Sequence, residues 1–87
     1  MSREVLRNKT VMKTKSLKVI LEQIGLRLKE LREQKGYGSI KEFALEYDLP
    51  MIQYWRIEKG KANLTLKSLY KLLSIHSVSM EQFFCLK

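Results

Sequence analysis

Cys85 and His76 are the only cysteine and the only histidine of this 87-residue chain. A reactive thiolate needs a cationic or basic neighbour, and a bound metal needs several ligands at set spacings; one residue of each type supplies neither, and a single cysteine forms no intrachain disulfide. Cys85 therefore reads as a small, partly buried apolar residue, and His76 as a loop or helix-end residue. Clustered carboxylates and a Ser or Tyr nucleophile in a basic motif are missing as well, so the expectation is a protein that is not an enzyme, with no cofactor and no metal. What the side chains do offer is charge. Seventeen Lys and Arg stand against nine Asp and Glu, a net charge of +8, with both signs spread through the chain. That is a foldable basic protein suited to a polyanion, either nucleic acid or an anionic membrane. No run of about 18 apolar residues, signal-peptide core or lipidation motif is present, which disfavours the membrane and leads to the expectation of a soluble cytoplasmic protein.

A chain this short has material for one core, and the charge divides it into an arm and a domain. Residues 1–16 form a basic N-terminal arm in which Arg3, Arg7, Lys9, Lys13 and Lys15 face Glu4 alone. Its few apolar residues cannot bury a core of their own. From Leu17 the pattern turns helical: Leu17, Leu21, Ile24, Leu28 and Leu31 alternate steps of four and three along one stripe, up to a stop near Gly36. Ser39 to Glu42 reads as a capping box opening a second helix, with Phe43, Ala44 and Tyr47 inward and Ala44 small enough for a close helix crossing. Asp48, Leu49 and Pro50 make a turn. Pro50 suits the start of a third helix ending at Gly60, with Tyr54, Ile57 and the stem of Glu58 inward and Met51, Ile52, Trp55, Arg56 and Lys59 outward. Thr65 caps a fourth helix, whose Leu66, Leu69, Tyr70, Leu72 and Leu73 are expected in the core. Ser79 and Gln82 open a short fifth helix ending in Phe83 and Phe84. The fold class expected is all-α, a compact five-helix domain over residues 17–87.

Taken in order, "IGLRLKELREQKG", "SIKEFALEYDLP", "YWRIEKGKAN" and "LTLKSLYKLL…VSMEQFF" resemble the helix-turn-helix module of the phage repressor and Cro type, the Xre family, over about residues 18–86. Arg32, Gly36, Ala44, Ile57, Glu58 and Gly60 fall where that family's pattern puts them. The resemblance implies a repressor-like DNA-binding domain acting as a sequence-specific transcriptional regulator on double-stranded DNA, in a bacterial or phage-type, nucleoid-associated setting. It implies a structural ion pair between Arg32 and Glu58. It also lays the third helix, about residues 51–59, in the major groove. Met51, Ile52, Gln53 and Arg56 would then read bases, and Ser39, Ile40, Lys41, Trp55, Lys59, Lys61 and Asn63 would meet the DNA backbone. Unpaired amides at the second helix's start would add to the phosphate contacts of Ser39 and Ile40.

Two departures shape the expected readout. Ile40 stands where many members carry Gln, and Met51 and Ile52 replace the usual polar readers. What remains is apolar contact with thymine methyl groups, together with Arg56, whose fork fits guanine O6 and N7. The Gly36-Tyr37-Gly38 turn is also one residue longer than the family's. Trp55 has two readings, a surface against sugar and base or packing against the first or fourth helix. So few readers imply modest affinity for one half-site, hence a homodimer, and a chain with one domain leaves no place for a small-molecule effector. The basic arm would enter the adjacent minor groove or steady the dimer. The alternative function is a protein-interaction module, antitoxin-like or an accessory subunit, in which Met51, Ile52 and Trp55 form an apolar patch for another protein.

Overall fold

The computed structural model describes residues 16–84, so the basic arm up to Lys15 and the residue Cys85 lie outside the described residues. Five helices follow one another: α1 (Leu17–Gln34), α2 (Ile40–Glu46), α3 (Met51–Glu58), α4 (Leu66–Ile75) and α5 (Met80–Phe84), with no strand among the described residues. The described residues are all-α, as the apolar periodicity predicts.

Hydroxyl caps start four of these helices, while α3 opens after Pro50 with no side-chain cap. Ser16 Oγ accepts from the Val19 amide at 3.3 Å, Ser39 Oγ from Glu42 at 3.2 Å and Thr65 Oγ1 from Ser68 at 3.0 Å. At α5 the cap is reciprocal: the Gln82 amide donates to Ser79 Oγ at 3.0 Å and the Ser79 amide donates to Gln82 Oε1 at 2.9 Å. Each uses amides that the first helical turn leaves unpaired. The helix ends share one device too. After α1 the Gly36 amide donates to the Glu33 carbonyl and the Tyr37 amide to the Arg32 carbonyl. After α3, Gly60 and Lys61 repeat the pattern onto Ile57 and Arg56. This paired closure needs a left-handed residue, which glycine supplies with φ of 99° at Gly36 and 72° at Gly60. After α2 and α4 the same position is filled by Asp48 (φ 55°) and Ser77 (φ 56°), with Leu49 bonded back to Ala44 and Val78 to Leu73.

The core is built from Leu28 of α1, Phe43 of α2, Tyr54 and Ile57 of α3, Leu69, Leu72 and Leu73 of α4, and Phe83 of α5. Phe43 is its hub. Its ring lies 5.5 Å from that of Tyr37, 5.0 Å from Tyr47, 5.3 Å from Tyr54 and 5.4 Å from His76, so one side chain joins α2 to the first turn, to α3 and to the end of α4. Two residues expected in the core are not there: Leu66 is 74% and Tyr70 66% exposed. At 100° per residue Leu69, Leu72 and Leu73 define the buried face, Tyr70 lies well off it, and Leu66 sits in the first turn, beyond the reach of the facing helices. Leu17, at the head of the α1 stripe, is exposed for the same end-of-helix reason.

α1 crosses behind α3 at backbone distance. A Cβ built on Gly25 would collide with the Glu58 carbonyl oxygen and lie 2.7 Å from that of Ile57, and a Cβ on Gly60 would come within 2.8 Å of Glu22 Cα. Those two glycines let the helices touch and fix the depth at which α3 sits. α2 and α3, joined by residues 47–50, form a helix-turn-helix whose outer face carries the candidate site.

Candidate functional site

Beneath that face, Arg32 anchors the end of α3. Its Nε donates to Glu58 Oε2 at 2.7 Å and its Nη2 to Oε1 at 3.0 Å, a two-point fork between buried side chains, while Nη1 donates to the Tyr37 carbonyl at 2.8 Å. One guanidinium thus joins α1, the turn after it and the end of α3. Hydrogen bonding to Glu58 raises the Arg32 pKa further above its ordinary value, so the cation is permanent. Tyr54 lies buried close by, and its phenol pKa is pushed up, first by burial and then by the Glu58 carboxylate. His76 stacks on Phe43 with ring planes 5° apart, and its pKa is lowered, first by burial and then by the nearby Lys35 charge. These groups support the helix from behind. None of them opens onto the outer face.

With Tyr54, Ile57 and Glu58 turned inward, the rest of α3 is presented to solvent: Met51 is 45%, Ile52 69% and Trp55 41% exposed, and Gln53, Arg56 and Lys59 are exposed too. The expected site residues fall into three neighbourhoods. Met51, Ile52 and Trp55 join Ile40 and Lys41 of α2 around a cleft of about 320 Å³. Trp55 therefore faces this cleft across from the start of α2 and is 41% exposed. Its outer side carries Lys59, whose Nζ lies 5.9 Å from the ring centroid in a cation–π contact. Ser39, capping α2, lies beside this cleft in sequence.

Arg56 occupies the second neighbourhood. Its Nη2 donates to the Lys61 carbonyl at 2.8 Å, which ties the guanidinium to the loop after α3, and it borders a shallow groove with Lys61, Asn63 and the first turns of α1 at Leu17, Lys18 and Leu21. Lys18 has no sequence signal linking it to this place; it arrives because α1 and α3 touch at Gly25 and Gly60. Gln53 stands apart on the α4 flank, beside Ser68 and Lys71. No carboxylate lines the cleft, and at the Arg56 groove the one acidic side chain close by is Glu22, against Gly60, so the face presents Lys18, Lys41, Arg56, Lys59 and Lys61 around an apolar centre. No group of three or more His, Cys, Asp or Glu residues that could hold a metal occurs among the described residues, and no described helix is long and apolar enough to cross a membrane.

No family model matches the chain, and no solved structure matches it. Its sequence is similar to the control protein C.MunI of Mycoplasma sp, with 34% identity over 62 residues that span 71% of this chain and 84% of that protein. A likeness of that extent covers nearly the whole of the relative. The chain belongs to the control-protein family that includes C.MunI.

Proposed function

We propose that this protein is a sequence-specific regulator of transcription that binds double-stranded DNA as a homodimer, with α3 entering the major groove. The observation that carries this reading is the presentation of one helix, α3, whose buried side is locked by the Arg32–Glu58 fork and the Gly25 crossing while its outer side carries exposed Arg56 and Lys59 and is flanked by Lys41 and Lys61. A reading helix must be rigid and its surround must attract phosphates. The name of its relative, a control protein, agrees with regulation.

In this reading Arg56 is the polar reader, directed to guanine O6 and N7 and steadied by its bond to the Lys61 carbonyl. Met51 and Ile52 supply apolar contact. Gln53 reads from the α4 flank. Ser39, Lys59, Lys61 and Asn63 hold the sugar-phosphate backbone on either side, and Ile40, Lys41 and Trp55 stand where the backbone meets the base edges. The test is selection from a random duplex pool at near-physiological salt. A motif with two half-sites about one helical turn apart is the expected result. Arg56→Lys keeps the charge and loses the fork, so it should retain DNA binding with a relaxed motif at one position, a discrimination of about 1–3 kcal/mol.

A second reading has one observation in its favour, the apolar walls of the Met51, Ile52 and Trp55 cleft, which suit a protein partner. An interaction module of that kind would select no DNA motif, and Arg56→Lys would leave its partner binding unchanged.

A further inference from the structure

The cleft between the starts of α2 and α3 narrows what this face accepts. Ile40, Met51, Ile52 and Trp55 wall it with Lys41, and the hydrogen-bonding side chains among them, the Lys41 ammonium and the Trp55 indole N–H, are donors without acceptor capacity. Major-groove base edges present acceptors, amino donors and, on thymine alone of the four bases, an apolar methyl group. An amino donor of cytosine or adenine placed here would lose water and find no acceptor side chain. A thymine fits on both counts: its C5-methyl meets the apolar walls, and its O4 is an acceptor that suits Lys41. The cleft volume of about 320 Å³ has room for a methyl group and the ring edge that bears it.

Charge argues for DNA as the occupant over an apolar segment of protein. Lys59 sits over the outer face of Trp55, Lys41 forms part of the cleft wall, and no carboxylate lines the cleft. Resting on the proposed DNA-binding function, we infer that the Ile40, Met51, Ile52 and Trp55 cleft is a thymine-methyl pocket that fixes a thymine at one position of each half-site.

The test uses the full chain and the duplex recovered by selection, with deoxyuridine replacing thymine one position at a time. Deoxyuridine removes the methyl group and keeps O4, so at one position per half-site affinity should fall about 3- to 10-fold, the effect of leaving one methyl group's worth of apolar surface unburied. Cytosine at that position should bind more weakly still. Ile52→Ala, at a residue 69% exposed and outside the core, should weaken binding to thymine DNA and no longer distinguish thymine from deoxyuridine there. Sequence-selective binding indifferent to deoxyuridine at every position, with Ile52→Ala binding as tightly as the parent, would overturn the pocket while leaving the DNA reading in place. Absence of any selected motif would overturn both, and would leave the cleft to a protein partner.

Discussion

Arg32 and His76 show how two polar side chains inside one small core lead to opposite expectations. Arg32 has its donors placed: two on Glu58 and one on the Tyr37 carbonyl. Removing it strands a buried carboxylate and an unpaired carbonyl together, so Arg32→Ala should cost about 3–5 kcal/mol of unfolding free energy, read from urea denaturation. Replacing both partners at once, Arg32→Met with Glu58→Met, should cost less than that single change, because no charge is left stranded. His76 is matched to its surroundings only when neutral. Its Nε2 is buried without a hydrogen-bond partner, its ring lies flat on Phe43, Lys35 opposes a positive charge there and Glu58 favours one more weakly. Its folded pKa therefore lies below the unfolded value of 6.5, and the unfolded chain binds the proton first. Stability from this group is full above that value and is lost as pH falls through it. His76→Phe keeps a ring against Phe43 and removes the proton, so denaturation midpoints measured from pH 8 to pH 5 should fall less for the variant than for the parent.

At the scale of the helix, Gly25 and Ser77 reverse the usual rules of substitution. Alanine inside a helix is favoured over glycine by about 1 kcal/mol, yet Gly25→Ala would drive a methyl group into the last carbonyls of α3. Backbone cannot yield as a side chain does, so the variant should lose about 1–3 kcal/mol by the same urea measurement, and a gain in stability would show that α1 and α3 do not touch as described. Ser77, by contrast, holds a left-handed conformation that glycine adopts freely, so Ser77→Gly should be neutral or stabilising by up to about 1 kcal/mol. These two positions also mark what the sequence can and cannot reveal. The caps at Ser39, Thr65 and Ser79, the stops at Gly36 and Gly60, and the outward turn of Met51, Ile52, Trp55, Arg56 and Lys59 all follow from bonds or rotations within a few residues, and they are legible. The exposure of Leu66 and Tyr70, the depth set by Gly25, the flank taken by Gln53 and the bond from Arg56 to Lys61 depend on where other segments lie. Amphipathic periodicity says that a helix has a buried face, and not how far along the helix its neighbours extend.

Over the whole molecule, the proposed function separates into a term that depends on charge and a term that depends on sequence, and the two belong to different residues. Lys61 is exposed and flanks α3; its side chain is free to be changed because the atom that holds Arg56 is its backbone carbonyl. If its ammonium meets a phosphate, Lys61→Gln removes one counterion-releasing contact. Binding should weaken by a similar factor on every duplex, and the slope of log affinity against log salt should become shallower by about 0.9. Ile52→Ala changes no charge, so its salt slope should match that of the parent while the preference between selected and scrambled duplex shrinks. Filter-binding or fluorescence titrations at four or more salt concentrations, on both duplexes, measure the two terms together. A Lys61→Gln slope equal to the parent's would place that side chain off the phosphates, and an Ile52→Ala slope that changes would mean that the apolar side of α3 positions the whole molecule instead of reading it. The opposite responses of these two exposed residues on one face are what a docked reading helix requires, since attraction comes from the rim and selection from the centre.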